Sequence, residues 1–506
     1  MHLLLIYFSY ACSFLLFIFM VTRAYNRYKT YFPYSKSPPG PWKLPLLGHL
    51  HHLRGLPHHA LRDLARKHGP LLLLRLGQID TLLISSPTAA KEVLKTHDLA
   101  FVNRPKLLSA DILSYNYTSI SFSPYGDYWR QLRKICTIEL LSARKVQSMW
   151  AIREEEVSNL IRNISSSAMS GSTVNLSDSL VALISDIISR TAFGNKCKDK
   201  DAFVSLVKEA DSLLGGFDFS DLFPSLTFLH WISGTKARLQ KVQGKVDKIL
   251  ENIINDHIEK RRRILTNESE HEEDIVDVFL RLQEENNLAI PLENNNIKAV
   301  LMDIFAAGIE TSSTAVVWAM AELMRNPKVM AKAQNEVRSV FNGKTKVCQS
   351  DINELSYLRL VIKETLRLYP PVPLLIPRES RERCVVGGYE IAKGTKVIVN
   401  AWALGRDPDF WPNPERFEPE RFQDLSVEFN GTNFSYIPFG SGRRICPGLS
   451  FGVANIEIVL AQLLYHFDWK ISDSKNPDEV LDMTEVLGIT INKKFPLNLL
   501  PTVYQP

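Results

Sequence analysis

No two of the six cysteines in this 506-residue chain form a C-x-x-C pair. The scattered spacing argues against a disulfide framework and against a structural zinc site, and it is typical of a reducing compartment such as the cytosol. A strong charge of one sign is missing as well. The net charge of +5 argues against nucleic acid as a partner, because nucleic-acid-binding proteins concentrate Lys and Arg on one face.

Charged side chains are also missing from residues 3–22, which are dominated by Leu, Phe and Ile. As a helix, this stretch spans about 30 Å, the thickness of the hydrocarbon core of a bilayer. A cleaved signal peptide is the alternative, but it normally begins with positive charge, and only His2 precedes the run. Basic residues follow it instead: Arg23, Arg27, Lys29 and Lys36. The pattern predicts an uncleaved single-pass anchor with the rest of the chain in the cytosol.

Three segments follow from this pattern. Residues 1–22 are the predicted anchor, residues 23–48 a basic and Pro-rich linker, and residues 49–506 one large globular domain. Prolines fix φ and remove hydrogen-bond donors, so the linker should be a stiff, extended spacer. Five histidines follow it without cysteine or carboxylate partners at ligand spacing, which favours a membrane-facing surface over a metal site: His49, His51, His52, His58 and His59.

The globular part is predicted to be mainly α with small β-sheets. Apolar residues recur at helical spacing over residues 178–190 and 236–263. Short strand candidates lie at residues 71–76, 81–84 and 396–399. These strands are too few and too scattered for a doubly wound sheet.

Residues 297–326 are apolar on nearly all faces and end before Pro327. As one helix they would be about 45 Å long. A helix that is apolar all round belongs either in the centre of a large protein or in a membrane. Asp303, Glu310 and Thr311 argue against lipid, where each is unfavourable. The segment is therefore predicted to be the buried central helix of the fold.

The strongest chemical signal is Cys446, within the segment Pro438–Gly448. A cysteine is by default a small buried hydrophobic residue. Here Gly442 and Gly448 flank it and allow the backbone to approach a flat ligand. A helical pattern begins at about Leu449, and a helix N-terminus favours the thiolate form of a cysteine. Arg444 supplies a fixed positive charge for a nearby carboxylate.

These residues form the pattern F-x-x-G-x-R-x-C-x-G at Phe439, Gly442, Arg444, Cys446 and Gly448. The pattern resembles the haem-binding signature of the cytochrome P450 family, and the resemblance covers nearly the whole chain. It implies the family's mainly helical fold with small sheets, preceded by a transmembrane helix. It also implies haem b (iron protoporphyrin IX) as the cofactor, with Cys446 as the axial ligand of the iron.

In the central helix, residues 307–311 read Ala-Gly-Ile-Glu-Thr and match the family's oxygen-activation motif. The resemblance gives catalytic roles to Gly308, Glu310 and Thr311. Gly308 would let a small ligand lie against the helix, and the Thr311 hydroxyl can loosen a turn by bonding back to a carbonyl. Thr311 and Glu310 can then hold water and pass protons as general acids. A plain helix with small packing residues is the alternative.

Glu364 and Arg367 form an E-x-x-R pair at i, i+3 spacing, which by itself is usually a surface ion pair. The family buries this pair and adds an arginine from an F-x-P-E-R-F stretch, here residues 417–422, which nominates Arg421. Arg416 stands in a similar four-letter stretch but lacks the preceding F-x. The resemblance gives the triad a structural role on the haem-binding side.

The family's W-x-x-x-R motif corresponds to Trp129 and Arg133, which share one helix face at i, i+4 spacing. By resemblance, both bind a haem propionate, together with Arg378 and Arg444. The substrate pocket implied by the resemblance draws on the loop around residues 108–123 and on Asp303, Phe305, Ala307, Val372, Leu374, Leu375, Ile376, Val486 and Leu487. These residues are mostly apolar, which suits a hydrophobic substrate held by shape, although each could instead be ordinary core.

The linker motif at residues 38–41 and the stretch at residues 125–130 are similar to the plant microsomal branch of specialised metabolism. That branch implies NADPH- and O2-dependent hydroxylation of a hydrophobic small molecule, a plant terpenoid first and an alkaloid or phenolic compound as the alternative. One departure is Tyr369, where that branch more often has His, beside the pocket-lining segment. The resemblance places the catalytic domain on the cytosolic face of the endoplasmic reticulum membrane.

The chain has no nucleotide-binding fingerprint of its own, so the electrons are expected from a separate NADPH–cytochrome P450 reductase. Candidates for its docking surface are Arg130, Lys134 and Arg443. Two other classes of function stay open. One is a haem-thiolate isomerase or dehydratase that does not use O2. Enzymes of that class tend to have a disrupted oxygen-activation motif, whereas Gly308, Glu310 and Thr311 are intact in this chain. The other is a non-catalytic haem sensor or membrane receptor.

Overall fold

The structure, a computed structural model, describes residues 37–505 except 215–218, 227–232, 268–272, 345–346, 472–480 and 487, together with Ser13, Phe14, Phe17 and Met20. The predicted anchor, residues 1–22, therefore lies outside the described residues apart from those four. Pro-rich residues 37–48 run along the first sheet, where the Leu73 N–H donates to the Pro39 carbonyl and the His49 N–H to the Arg75 carbonyl.

Helices make up most of the described chain, which confirms the predicted class. They are α1 (Pro57–His68), α2 (Pro87–Lys91), α3 (Leu108–Leu113), α4 (Asp127–Ile135), α5 (Ala143–Ser148), α6 (Trp150–Met169), α7 (Leu176–Phe193), α8 (Lys200–Leu213), α9 (Phe219–Leu222), α10 (Thr235–Asn267), α11 (Ile275–Glu285), α12 (Asn294–Arg325), α13 (Pro327–Phe341), α14 (Gln349–Asn353), α15 (Ser356–Leu368), α16 (Ala401–Leu404) and α17 (Leu449–His466).

Within the described ranges, the strands are short and form four small sheets. They are β1 (Leu71–Leu76), β2 (Ile79–Ile84), β3 (Val174–Asn175), β4 (Arg378–Glu379), β5 (Cys384–Val386), β6 (Tyr389–Ile391), β7 (Lys396–Val399), β8 (Phe467–Ile471), β9 (Glu485–Val486), β10 (Asn492–Lys493) and β11 (Asn498–Val503). The largest sheet has the order β1-β2-β7-β4. Within it β2 and β7 pair in parallel, with Thr81 opposite Lys396, and β4 adds antiparallel with Arg378 opposite Val397.

Helix α12 is the centre of the fold, and it contacts α7, α8, α15 and α17. Among the described residues, α12 and α17 are long and apolar enough to cross a membrane, but 67% and 56% of their most apolar windows are buried inside the protein. Pro327 does not simply stop α12: it stands at the first position of α13, where its missing N–H is tolerated. Helix α12 is thus a core helix, as its internal polar residues predict.

Two of the five histidines after the linker are buried, contrary to the expectation of a membrane-facing surface. His49 accepts from the Arg75 N–H at 2.7 Å and its other ring nitrogen lies 2.9 Å from the Pro41 carbonyl. The Nε2 of His58 lies 2.7 Å from a carboxylate oxygen of Glu485 in β9. Both histidines therefore join the N-terminal part of the domain to more distant segments, because buried ring nitrogens need hydrogen-bond partners.

Candidate active site

Cys446 lies between a short 3-10 helix, Gly442–Arg444, and the first residue of α17. Its backbone N–H donates to the Phe439 carbonyl at 2.9 Å, which closes the loop. Gly442 has φ of +71°, and a Cβ built there would lie 2.2 Å from the Leu94 carbonyl oxygen. Only glycine fits this position, because it combines left-handed backbone with a close backbone approach.

The electrostatic surroundings of Cys446 suit a metal-bound thiolate. Burial raises the pKa of its thiol, while the Gly448 N–H and the Arg133 charge act in the opposite direction. A cation against the sulfur is what would keep it as a thiolate, since metal coordination deprotonates a thiol. A Cβ built on Gly448 would lie 3.9 Å from the sulfur, so the helix start stays close beside it.

The sulfur of Cys446 opens onto a cavity of about 1520 Å³, including its open mouth. Segments far apart in sequence meet there: α4, α12, the stretch before β4 and the loop before α17. The sequence-predicted residues that line the cavity are Trp129, Arg133, Asp303, Ala307, Gly308, Thr311, Val372, Leu375, Ile376, Arg378, Phe439, Arg444, Cys446 and Gly448.

Arginines crowd one side of this cavity. The Arg444 guanidinium donates to the carbonyls of Val102 (3.0 Å) and Ser123 (2.6 Å) and lies 4.3 Å over the Trp129 ring. Arg378 is paired with Asp98 at 2.6 Å. Burial first, and then the charges of Arg378 and Arg133, lower the pKa of Arg444 to about 9. The charge of Asp98 acts in the opposite direction but does not outweigh them, so the cluster has an excess of positive charge.

Two further observations concern the excess of positive charge in this cavity. Within the described part of the chain, no carboxylate lies at ion-pair distance from Arg133, although its guanidinium faces the cavity. Arg104, which the sequence reasoning missed, also lines the cavity and donates to the carbonyls of Ser121 and Ile376 at 2.8 and 2.6 Å. Burial and the neighbouring arginines hold its pKa well below the ordinary value. A flat ligand with two carboxylates, such as haem, fits this set of residues.

The motif in α12 divides between two faces of the helix. The Thr311 hydroxyl faces the cavity and donates to the Ala307 carbonyl at 2.5 Å, the back-bonding that loosens a helical turn. Glu310 points away from the cavity and is buried. Burial raises the pKa of its carboxyl, against the opposing hydrogen bond from Asn492. The two groups suggested as proton donors therefore lie on different faces of the helix.

Gly308 also has a packing role, the alternative that the sequence left open for this motif. A Cβ built on it would lie 2.5 Å from Cδ1 of Ile188 in α7. The glycine thus lets α7 approach α12 closely, as small residues do at tight helix crossings.

We expect Gly308→Ala to destabilise the protein by about 1–3 kcal/mol, the usual effect of overpacking a core. Ile188→Val removes the clashing methyl and by itself should lose about 0.5–1.5 kcal/mol. The double variant should be more stable than the sum of the two losses predicts, as denaturant unfolding of the purified proteins would measure. Strictly additive losses would show that the contact with Ile188 is not the reason for the glycine.

Glu364, Arg367 and Arg421 form one buried cluster. Arg367 and Glu364 are joined by two hydrogen bonds of 2.7 and 2.8 Å, and Nε of Arg421 lies 3.0 Å from the same carboxylate. Arg367 also donates to the carbonyls of Gly405 and Pro414. Arg416, the competing arginine, is 75% exposed. The triad thus fastens α15 to the irregular stretch that leads to the Cys446 loop.

Three suggested pocket residues do not line the cavity in the described structure. Phe305 stacks on Phe203 and Phe193, with ring centroids 4.5 and 5.1 Å apart. On α12 the residues 303, 307 and 311 share one face, and residue 305 points elsewhere. Leu374 packs towards the cluster around β1, Val486 is 44% exposed on β9, and Leu487 lies outside the described residues.

Tyr369 is also turned away from the cavity. Its hydroxyl donates to Glu322 at 2.5 Å, and its ring stacks on Trp318 with centroids 4.2 Å apart. It is not among the described residues that line the cavity. Tyr369 in place of His therefore affects the packing against Trp318 and Glu322 of α12 and not the shape of the pocket.

Comparisons with known proteins agree with this geometry. The family model described as cytochrome P450 matches residues 38–497. The chain is 58% identical to desmethyl-deoxy-podophyllotoxin synthase from Sinopodophyllum hexandrum, over 93% of this chain and 92% of that protein. It is 53% identical to premnaspirodiene oxygenase from Hyoscyamus muticus (93% and 94% covered) and 49% identical to germacrene A hydroxylase from Barnadesia spinosa (93% of each).

A solved structure shares the fold. It is a zebrafish cytochrome P450 with abiraterone, with a TM-score of 0.72 and 25% sequence identity. The alignment covers 89% of this chain and 100% of that one.

Proposed function

The chain belongs to the cytochrome P450 family, and on that premise we propose that Cys446 binds the iron of haem b in a monooxygenase that hydroxylates a plant terpenoid. The observation that carries this proposal is the single cavity shared by the Cys446 sulfur, the Thr311 hydroxyl and a cluster of arginines. When bound, the haem supplies the reductive cleavage of dioxygen and the insertion of one oxygen atom into a C–H bond.

The chain's own residues have three tasks in this proposal. Cys446 is the thiolate ligand. Arg104, Arg133, Arg378 and Arg444 would neutralise the haem carboxylates, with the Trp129 ring packed against the Arg444 guanidinium. Thr311 would hold a proton where it faces the cavity, and Glu310 would keep a second acid on the neighbouring face of α12. The intact Gly308, Glu310 and Thr311 favour dioxygen chemistry over an isomerase or dehydratase.

Asp303 marks the polar end of an otherwise apolar pocket. Its carboxylate accepts from the Ser121 N–H at 2.8 Å, and burial raises its pKa to about 6. Val372, Leu375 and Ile376 face the same space. Such a pocket suits a hydrophobic substrate that shape orients and one polar contact fixes.

The names of the relatives point to two classes of substrate. Premnaspirodiene oxygenase and germacrene A hydroxylase act on terpene scaffolds, which is why we propose a terpenoid substrate. Desmethyl-deoxy-podophyllotoxin synthase is the more similar of these relatives, and its product is not a terpenoid. Phenolic compounds are therefore the second candidate.

The test is to express the chain with a plant NADPH–cytochrome P450 reductase in microsomes and to offer both scaffold classes. A mass gain of one oxygen atom on a sesquiterpene or triterpene scaffold, dependent on NADPH, is the expected result. Oxidation of phenolic scaffolds alone would replace the terpenoid proposal and leave the reaction class intact.

We further propose that residues 1–22 anchor the protein in the endoplasmic reticulum membrane, with the catalytic domain in the cytosol. Exposed apolar side chains support this: Trp42, Leu46 and Phe219 are 65%, 80% and 63% exposed. Residues 47 and 222 both bond to the turn between β1 and β2, so Leu46 and Phe219 lie near the same end of the sheet. A chain that lacks residues 1–22 is expected to wash off membranes. If it stays bound, the exposed side chains of Trp42, Leu46 and Phe219 hold the protein on the membrane instead.

The reductase is proposed to dock near Arg130, Lys134 and Arg443. Lys134 is exposed, whereas Arg130 pairs with Asp127 and Arg443 with Asp98 at 3.0 Å. Lys134→Glu should therefore lower the rate of reductase-dependent turnover. It should leave the amplitude of the reduced carbon monoxide spectrum of the haem nearly unchanged. Turnover that is insensitive to salt and to this reversal would count against the surface.

A further inference from the structure

Two of the histidines after the linker meet a carboxylate from the far end of the chain. His58 and His59 are adjacent at the start of α1, and Glu485 begins β9. Oε2 of Glu485 lies 2.7 Å from Nε2 of His58 and 3.2 Å from Nε2 of His59. No spacing in the sequence indicates this partner, because it stands 427 residues from His58. The fold thus supplies the ligand whose absence argued against a metal site.

The three side chains point their ligand atoms at one spot. These atoms all lie within 4.8 Å of one another, and a tetrahedral zinc ion with ligands at about 2.0 Å holds them about 3.3 Å apart. The side chains of His58 and Glu485 are 1% and 8% exposed, whereas that of His59 is 40% exposed. Nε2 of His59 nevertheless faces inward and has no hydrogen-bond partner of good geometry within the described ranges. Movement of the half-exposed His59 ring would admit an ion from solvent.

Packing holds the two imidazole rings in place. Trp402 in α16 is buried, and its ring stacks on His59 with centroids 4.4 Å apart and meets the edge of His58 at 5.1 Å. The backbone carbonyl of His58 accepts from the Asn400 side chain at 2.8 Å. Because these contacts already order the side chains, little further conformational entropy is lost when both rings bind one ion.

The charge states of the cluster also suit a cation. Burial lowers the pKa of His58, so its ring is neutral at neutral pH, and the neutral imidazole is the form that binds metals. Burial alone would raise the pKa of Glu485, but the contacts with His58 and His59 outweigh it and lower that pKa to about 2. The carboxylate is therefore ionised and carries the negative charge of the set.

Nearby arginines limit the affinity. The guanidinium groups of Arg406 and Arg62 lie 4.0 and 4.9 Å from the centroid of the Trp402 ring. Arg406 pairs with Glu415 at 3.1 Å and Arg62 with Asp63 at 2.8 Å, which offsets much of their charge. The field that remains opposes a cation, so an ion in this cluster exchanges with solution more readily than one in a permanent structural site.

We propose that His58, His59 and Glu485 bind one Zn²⁺ ion, or a similar divalent transition metal, with water as the fourth ligand. Both imidazoles bind through Nε2 and keep their proton on Nδ1. Two histidines and a carboxylate with one open position are a usual ligand set for zinc. Mg²⁺ and Ca²⁺ are poor candidates, because they prefer sites made of oxygen ligands alone. The site is separate from the cavity at Cys446 and does not depend on the proposed monooxygenase function.

The metal ties α1 to a segment that packs on the central helix. Strand β9 pairs with β10, where Val486 lies opposite Asn492. The neighbouring Ile491 carbonyl accepts from the Trp318 indole N–H of α12 at 3.1 Å, and the Ile491 N–H donates to the Pro371 carbonyl at 2.9 Å. Zinc at a hundredfold excess over its dissociation constant should therefore raise the midpoint of thermal unfolding by about 2–5 °C.

The experiment uses the full-length haem protein in detergent, purified without a histidine tag. Equilibrium dialysis with elemental analysis should give one bound zinc ion per chain with a dissociation constant of about 1 μM, and no bound Mg²⁺ at the same concentration. His59→Phe keeps a ring against Trp402, and Glu485→Gln keeps the shape of the side chain. Each should weaken zinc binding by at least about 100-fold, since loss of even an outer-shell partner can cost that much. His68→Phe, the same substitution at the other end of α1, should bind zinc like the wild type.

X-ray absorption at the zinc edge identifies the ligands directly. A shell of nitrogen and oxygen at about 2.0 Å with imidazole scattering is expected, whereas sulfur at about 2.3 Å would assign the ion to a cysteine such as the exposed Cys348. Sulfur in the shell, or unchanged affinity in H59F, would overturn the site. So would the lack of stoichiometric binding at about 100 μM Zn²⁺, a hundred times the expected dissociation constant. If E485Q does not fold, H59F and H68F decide. None of these readouts requires turnover, so they leave the proposed function to its own test.

Discussion

Cys446→Ala is expected to abolish both substrate oxidation and the reduced carbon monoxide spectrum typical of a thiolate-ligated haem. The loop closed by the Cys446 N–H and the Phe439 carbonyl offers no other sulfur, and the remaining thiol that lines the cavity, Cys136, is buried with its pKa raised to about 12. Cys446 would supply the electron-donating thiolate of the iron, and the variant has no group to replace it. The expected effect on product formation is a complete loss.

Cys384→Ser is the matched control, since Cys384 lies in the small β5–β6 sheet and does not line the cavity. It should keep the spectrum and the activity of the wild type. Substrate hydroxylation by Cys446→Ala, or loss of the thiolate spectrum in Cys384→Ser, would contradict the assignment of Cys446 as the ligand.

The second large effect is expected at the buried triad. Arg421→Ala leaves the Glu364 carboxylate, which is fully buried, with one arginine partner instead of two. Removing one member of a buried ion pair typically costs about 3–5 kcal/mol, because the charge left behind stays buried. We therefore expect poor folding and a haem content far below that of the wild type, measured as the pyridine haemochrome per mole of protein.

The chain supplies its own control for this variant. Arg416 stands five residues earlier, and its side chain is mostly exposed. Its backbone carbonyl accepts from Arg367 at 3.0 Å and from Arg421 at 3.3 Å, and these contacts survive truncation of the side chain. The side chain itself makes a 3.9 Å surface contact with Glu418. Arg416→Ala should change stability by less than about 0.5 kcal/mol. Equal losses of haem in the two variants would show that Arg421 is not the third member.

Local sequence patterns were enough to place several of the longer helices and the residues spaced along them. The pattern over residues 178–190 falls inside α7, and that over residues 297–326 corresponds to α12. Trp129 and Arg133 could be paired in advance because i, i+4 spacing fixes their shared face. The strand at residues 71–76 coincides with β1, since a run of Leu before a glycine turn is a local signal.

Contacts between distant segments could not be read in this way. The parallel pairing of Thr81 with Lys396 joins strands more than half the chain apart, and no local pattern specifies it. Arg104 stood alone in sequence, so nothing marked it as part of the arginine cluster. Phe305 was nominated by its place in a motif, while its face of α12 decided its contacts. The environment of Glu310 depends on Asn492, which only the folded chain brings to it.

The central claim is that this protein inserts one atom of dioxygen into its substrate. The most direct measurement is turnover of an accepted substrate, with reductase and NADPH, under isotopically labelled dioxygen in unlabelled water. The account predicts a product that carries one labelled oxygen atom, with no product formed in the absence of dioxygen. Product that forms without dioxygen would contradict the account and indicate an isomerase or dehydratase instead. Product that takes its new oxygen from water would contradict it as well.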